Sequence, residues 1–258
     1  MLYLPWLGTM LAGLCTGLGG LLAALLRPGA RSMALGAGFA AGVMLTVSLA
    51  DLLPEVLAFY SGLHTPWVGG CAVAALVGLG MLAAALLGQL LPQEEALAAR
   101  WAGQNADRVA ALRTALMVSA VMVAHNLPEG MLTLFAGLAA PQWGLRTALA
   151  VALHNIPEGL AVAVPFAYAT GSRAKGAVAA LLSGLAEPLG ALLAFGLLRH
   201  WLQPGLLHGV VAFTAGVMLW AALAQLCPEA LCSRHRRAGT AGLAAGCLAM
   251  VLGIAVLG

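Results

Sequence analysis

The chain has 258 residues, of which 62% are hydrophobic and only 8% charged, with a mean hydropathy of +0.97. Soluble domains carry roughly a quarter charged residues, so this composition excludes a soluble domain and indicates an integral membrane protein. The net charge of +3 comes from scattered loop residues and forms no basic patch of the kind nucleic acid requires.

A helix crossing the bilayer takes about 20 mostly apolar residues. Cutting the chain at its charges, Pro/Gly clusters and tryptophans leaves eight such stretches: 3–26, 32–60, 66–91, 110–138, 142–170, 174–198, 203–231 and 238–258. The expectation is a single all-α transmembrane domain over 1–258. The first stretch lacks a basic amino end and is longer than a signal core, which argues against a cleavable leader.

The second stretch holds Ala41-Gly42-Val43-Met44-Leu45 followed by Asp51-Leu52-Leu53-Pro54-Glu55. After the third stretch, Gln93 to Arg108 reads as a short polar linker without histidine. The fourth contains His125-Asn126-Leu127-Pro128-Glu129-Gly130, and the fifth repeats the word as His154-Asn155-Ile156-Pro157-Glu158-Gly159. The sixth carries Glu187-Pro188. In the seventh, Ala215-Gly216-Val217-Met218-Leu219 and Gln225-Leu226-Cys227-Pro228-Glu229 echo the second. Words shared between spans of opposite direction are what an inverted repeat leaves behind, and carriers built from such repeats place their substrate site near the midplane.

Of the twelve basic residues, ten fall on loops of one parity, beginning with Arg27 and Arg31, and only Arg146 and Arg199 on the other. Lys and Arg favour the cytoplasmic side, which puts both termini outside and the linker inside. Trp6, Trp67, Trp143 and Trp201 then lie at outer ends, where indole rings settle among headgroups. The five cysteines, with no CxxC spacing, read as packing residues. His64, His200, His208 and His235 lie at span ends or loops and read as solvated, structural groups.

On a helix, residues i and i+4 share a face, so His125 stands beside Glu129 and His154 beside Glu158. Proline at i+3 lacks the N–H and displaces the carbonyl four residues back, which is expected to open each helix beside its ligands. Glu129, Glu158 and Glu187 fall mid-span, where an ionised side chain costs on the order of 3 kcal/mol on insertion scales. No Lys or Arg shares that depth. Imidazole and carboxylate together suit zinc, iron, manganese, cobalt or cadmium, whereas calcium and magnesium prefer oxygen alone. Asn126 and Asn155 stand next to the histidines, as ligands through their side-chain oxygens or as supporting donors. Asp51 and Glu55 lie toward the outer mouth and Glu229 toward the inner one, on a possible cation route.

Three classes compete. A metal carrier or channel accounts for mid-span ligands, repeat symmetry and acidic mouths together. A membrane-embedded metalloenzyme could use the same His/Glu cluster, but the chain has no HExxH and few histidines. A structural protein leaves three buried acids unexplained.

HNLPEG in the fourth stretch, HNIPEG in the fifth and Glu187-Pro188 in the sixth resemble the ZIP (Zrt-, Irt-like protein) family of divalent metal transporters, particularly its bacterial branch. The resemblance implies a 3+2+3 inverted-repeat arrangement, import of zinc and related ions across a bacterial inner membrane, and no catalytic activity. It further implies a binuclear mid-membrane site. His125, Glu129, His154 and Glu158 would form its main part, and Asn126, Asn155 and Glu187 a neighbouring part bridged by the two motif glutamates. Homodimers and sliding of a four-helix element are implied too. The histidine-rich cytoplasmic stretch common in relatives has no counterpart here.

Overall fold

The computed structural model describes residues 3–25, 29–100, 105–198 and 203–257. Expectations resting on Arg27, Arg199, His200 and Trp201 lie outside the described residues. Among these, every regular element is helical, and eight helices are long and apolar enough to cross a membrane. They are Tyr3–Ala23, Ala30–Leu63, Pro66–Ala99, Ala106–Ala139, Pro141–Thr170, Arg173–Leu197, Pro204–Leu231 and Arg236–Val256, here spans one to eight. The continuous helix of span three stops at Leu90, and a separate short helix, Glu94–Arg100, occupies part of the expected linker. Its Leu97 is buried and Arg113 donates to Gln93 Oε1 over 3.1 Å, which folds the linker back onto span four.

Local chemistry explains where the helices begin. Pro66, Pro141 and Pro204 open spans three, five and seven, at a position where no N–H is needed. Thr65, Asn105 and Ser172 accept from the backbone N–H groups of Val68, Asp107 and Lys175. Between spans five and six, Gly171 turns the chain at φ 67°, a left-handed conformation that glycine adopts without strain.

Burial is inverted relative to a soluble protein. Leu79, Leu82, Leu182 and Leu252 face outward, whereas the interior holds His125, Asn126, Glu129, His154, Asn155, Glu158 and Glu187. Hydrophobicity does not pull helices together in lipid, so small residues and close backbones set the contacts. Spans one, four, five and six pack on one another. Span two packs along span eight and beside span seven, and span three lies against spans two and seven. The two groups meet mainly where span two lies on span five and span seven on span four.

The expected opening at Pro128 and Pro157 is not observed. Spans four and five run as uninterrupted α-helices through these prolines and through Pro165. Neighbouring helices brace them: Gly130 lies against the Glu187 backbone, Gly190 against Leu127, and Gly19 and Gly159 bring spans one and five together. Such packing is how membrane helices tolerate interior proline.

Widening occurs elsewhere. Span two passes into a π-helical turn at Ser48–Leu52, before Pro54, and span seven does so at Ala221–Leu226, before Pro228. Both turns follow the Ala-Gly-Val-Met-Leu words, and each contains the carbonyl that the downstream proline leaves unpaired, at Ala50 and Ala224. The sequence echo therefore has a backbone counterpart. A further π-helical stretch, Ala194–Leu198, ends span six.

Candidate metal site

His125 and Glu129 stand one turn apart on span four, and His154 and Glu158 one turn apart on span five, all at most 5% exposed. The closest polar contacts do not follow the i, i+4 steps but cross between the helices. His125 Nε2 lies 3.1 Å from Glu158 Oε1, and His154 Nε2 lies 3.3 Å from Glu129 Oε1. Ligand atoms of His125, Glu129 and Glu158 all fall within 4.8 Å of one another. His154 joins that group through Glu129.

The tautomer of His125 sharpens the chemistry. Its Nδ1 is 3.0 Å from the Val121 carbonyl, which can only accept, so Nδ1 carries the hydrogen. In neutral His125 the Nε2 lone pair then points at a carboxylate oxygen. Two acceptors at 3.1 Å need a proton or a cation between them. With zinc–ligand lengths of about 2.0–2.2 Å, an ion shared by either pair would subtend roughly 90–110°, close to the angles zinc adopts.

Unpartnered atoms point the same way. His125 Nε2, Glu129 Oε2, both ring nitrogens of His154 and both Glu158 oxygens are buried without a hydrogen-bond partner. Leaving such groups unpaired costs about 1–3 kcal/mol each, and more when charged. Every ion pair recorded among the described residues joins a histidine to a glutamate, so no Lys or Arg neutralises the cluster.

The asparagines are anchored by their nitrogens. Asn126 Nδ2 donates to the Ser183 carbonyl over 3.1 Å, and Asn155 Nδ2 donates to the Ala12 carbonyl over 2.8 Å and to Glu187 Oε1. Both Oδ1 atoms stay buried and unpartnered, as does Glu187 Oε2. Glu187 is fully buried and interacts electrostatically with Glu129 and Glu158. The structure thus joins Asn155 to Glu187 and fastens Asn126 one turn before Glu187 on span six. Thr16, Ser48 and Thr133 also carry buried hydroxyls without a hydrogen-bond partner, and no motif marks them.

Outside this cluster, Asp51 sits in the π-helical turn of span two and interacts electrostatically with His154. Glu55, one turn further, lies 3.7 Å from His208 Nε2 on span seven. His208 was expected to be solvated; instead its side chain is only 24% exposed, because Phe59 stacks on it. No motif marks it, since its partner lies on a span distant in sequence. At the other end of the bundle, Glu229 lines a small cleft with Met33, Thr114, Leu160, Val164 and Leu226. Trp67 and Trp143 are exposed at the first turns of spans three and five, and Trp6 meets Phe195 edge-on with 5.4 Å between centroids.

Comparison with known proteins agrees with this chemistry. The family model described as ZIP Zinc transporter matches residues 91–258. A relative named zinc transporter ZupT from Chlorobium phaeovibrioides is 38% identical, covering 99% of this chain and 98% of the relative. Proteins of the same name from Corynebacterium efficiens and Akkermansia muciniphila are each 37% identical, over 95% of this chain and 94% of theirs. A family match over spans four to eight, full-length similarity to such relatives, and a buried His/Glu cluster inside membrane-length helices together make this chain a member of the ZIP family.

Proposed function

We propose that the protein imports Zn²⁺ across a bacterial inner membrane into the cytoplasm through a binuclear site at mid-membrane. The observation that carries this reading is the crossed pair of buried contacts, His125–Glu158 and His154–Glu129, in which an imidazole nitrogen faces a carboxylate oxygen and no Lys or Arg is paired with either. A divalent cation is the natural counter-charge. His125, Glu129, His154 and Glu158 would hold one ion. Glu187, with the free side-chain oxygens of Asn126 and Asn155, would hold a second. The zinc assignment draws on the names of the relatives; the donor set also admits Fe²⁺, Mn²⁺, Co²⁺ and Cd²⁺.

Asp51 and Glu55 lead away from His154 toward one end of the bundle, and Glu229 lines the cleft at the other. With both termini outside, as the basic-residue bias and the tryptophans favour, the first end is the outer mouth and the second the inner. Neutralising the inner acid by Glu229→Gln is expected to lower the maximal uptake rate with little change in KM, since it acts after capture. A rate equal to the parent's removes Glu229 from the route.

The π-helical turns that follow the echoed words in spans two and seven support the 3+2+3 inverted repeat. The mutual packing of spans one, four, five and six as one group supports their sliding as a unit. A homodimer is proposed on the family resemblance alone.

Release needs a trigger, because an N/O cage at this depth would otherwise trap the ion. Each ligand must lose its proton before it coordinates, so protons and metal compete for the same lone pairs. Apparent affinity is therefore expected to fall as the outer pH falls through the range in which histidine titrates. Zn²⁺ uptake by proteoliposomes, corrected for metal speciation, that stays flat from mildly acid to mildly alkaline conditions would contradict this.

No observation favours a membrane-embedded metalloenzyme, and the matched relatives are named transporters. Uptake across a panel of divalent metals into sealed vesicles separates the two. An enzyme would bind metal without moving it.

A further inference from the structure

At the end of the bundle where span two finishes and span seven begins, three contacts build a second cluster. Tyr60 Oη donates to the Gly205 carbonyl over 2.9 Å and ties the helix ends together. Phe59 stacks flat on His208, with ring centroids 3.7 Å apart and planes within 3°. Glu55, on the same face of span two as Phe59, presents Oε1 3.7 Å from His208 Nε2. Beneath them Val56, Val73, Val211 and Ala212 form a separate apolar core that fixes the arrangement.

His208 Nδ1 is 2.7 Å from the Pro204 carbonyl. A carbonyl only accepts, so Nδ1 carries the hydrogen and the lone pair of neutral His208 is on Nε2, aimed at the Glu55 carboxylate. The separation is too long for a hydrogen bond. It suits a shared cation instead: at about 2.0–2.2 Å from each atom, zinc would subtend roughly 125°, leaving coordination positions open to water. The flat stack points the same way. Two neutral aromatic rings avoid face-to-face overlap, whereas an imidazole made electron-poor by a bound cation is attracted to a phenyl face.

We propose that Glu55 and His208 form a second divalent-metal site at this mouth of the bundle, which captures Zn²⁺ and passes it through Asp51 to the central cage. Asp51 is one turn from Glu55, about 6 Å along the helix, and interacts electrostatically with both Glu55 and His154. Metal-ligating groups thus follow one another from the mouth to the centre: His208 and Glu55, then Asp51, then His154. The proposal rests on the metal-transport reading above but concerns residues on other spans.

The test is Zn²⁺ titration of the purified full-length protein in detergent, in a His125→Ala background that disables the central cage. His208→Phe keeps an aromatic ring packed beside Phe59 and removes both ring nitrogens. The His125→Ala protein is expected to retain a weak binding step at the mouth, apart from any left at Glu187, and adding His208→Phe or Glu55→Gln should remove that step while the melting temperature is kept. In the otherwise unaltered protein, His208→Phe should raise the KM for Zn²⁺ uptake by roughly tenfold or more, as loss of groups at metal sites does, with the maximal rate unchanged. Residual binding indifferent to His208→Phe, or an unchanged KM, overturns the second site. Flux that survives His125→Ala sinks the central reading instead, so the two fail separately.

Discussion

Replacing His125 by alanine is expected to abolish Zn²⁺ flux into sealed vesicles, a loss of at least about a hundredfold, since even outer partners of metal ligands cost 10–100-fold. The variant also leaves Glu158 buried and without the protonated imidazole that pairs with it when no metal is bound. Stranding one partner of a buried pair costs on the order of 3–5 kcal/mol, so the single variant should melt well below the parent. Removing both charges in His125→Ala/Glu158→Ala takes away the stranded carboxylate and should recover much of that loss, while flux stays absent. Stability that returns without transport separates coordination from folding. A His125→Ala protein that moves Zn²⁺ at the parent rate, or a double variant no more stable than the single, would sink the crossed-pair cage.

The second large effect lies in the backbone contacts that hold the cage closed. A Cβ on Gly130 would run into the carbonyl of Glu187, and one on Gly159 into the carbonyl of Thr16. Neither obstacle is the tip of a flexible side chain, so the helices must separate. Gly130→Ala is expected to destabilise by about 1–3 kcal/mol, as overpacked cores do. It should also impair transport disproportionately, because the displaced backbone is that of Glu187 itself. Gly159→Leu should prevent spans one and five from docking. Gly78 is the control: nothing lies within 4 Å of its Cβ position, so Gly78→Ala should be neutral or add up to about 1 kcal/mol of helix stability. Melting curves and uptake rates for the set decide the matter. Equal behaviour of Gly130→Ala and Gly78→Ala would show that close approach at Gly130 is unimportant.

Much of this was legible in the amino-acid order. Spans of 20 or more apolar residues, two copies of HNxPEG and a mid-span Glu187 determine a helical membrane protein with imidazole and carboxylate at depth, because lipid tolerates such groups only when they are satisfied. Helical periodicity also placed His125 with Glu129, and His154 with Glu158, on common faces. What periodicity cannot fix is how one helix is rotated against another. The structure crosses the pairs between spans four and five, turns the asparagine nitrogens onto the Ser183 and Ala12 carbonyls, and keeps the helices unbroken at Pro128 and Pro157. It also brings His208 to Glu55. These outcomes depend on which small residue meets which neighbouring backbone, such as Gly130 on Glu187 and Gly190 on Leu127. Such contacts join residues far apart in the chain, and only the folded bundle brings them together.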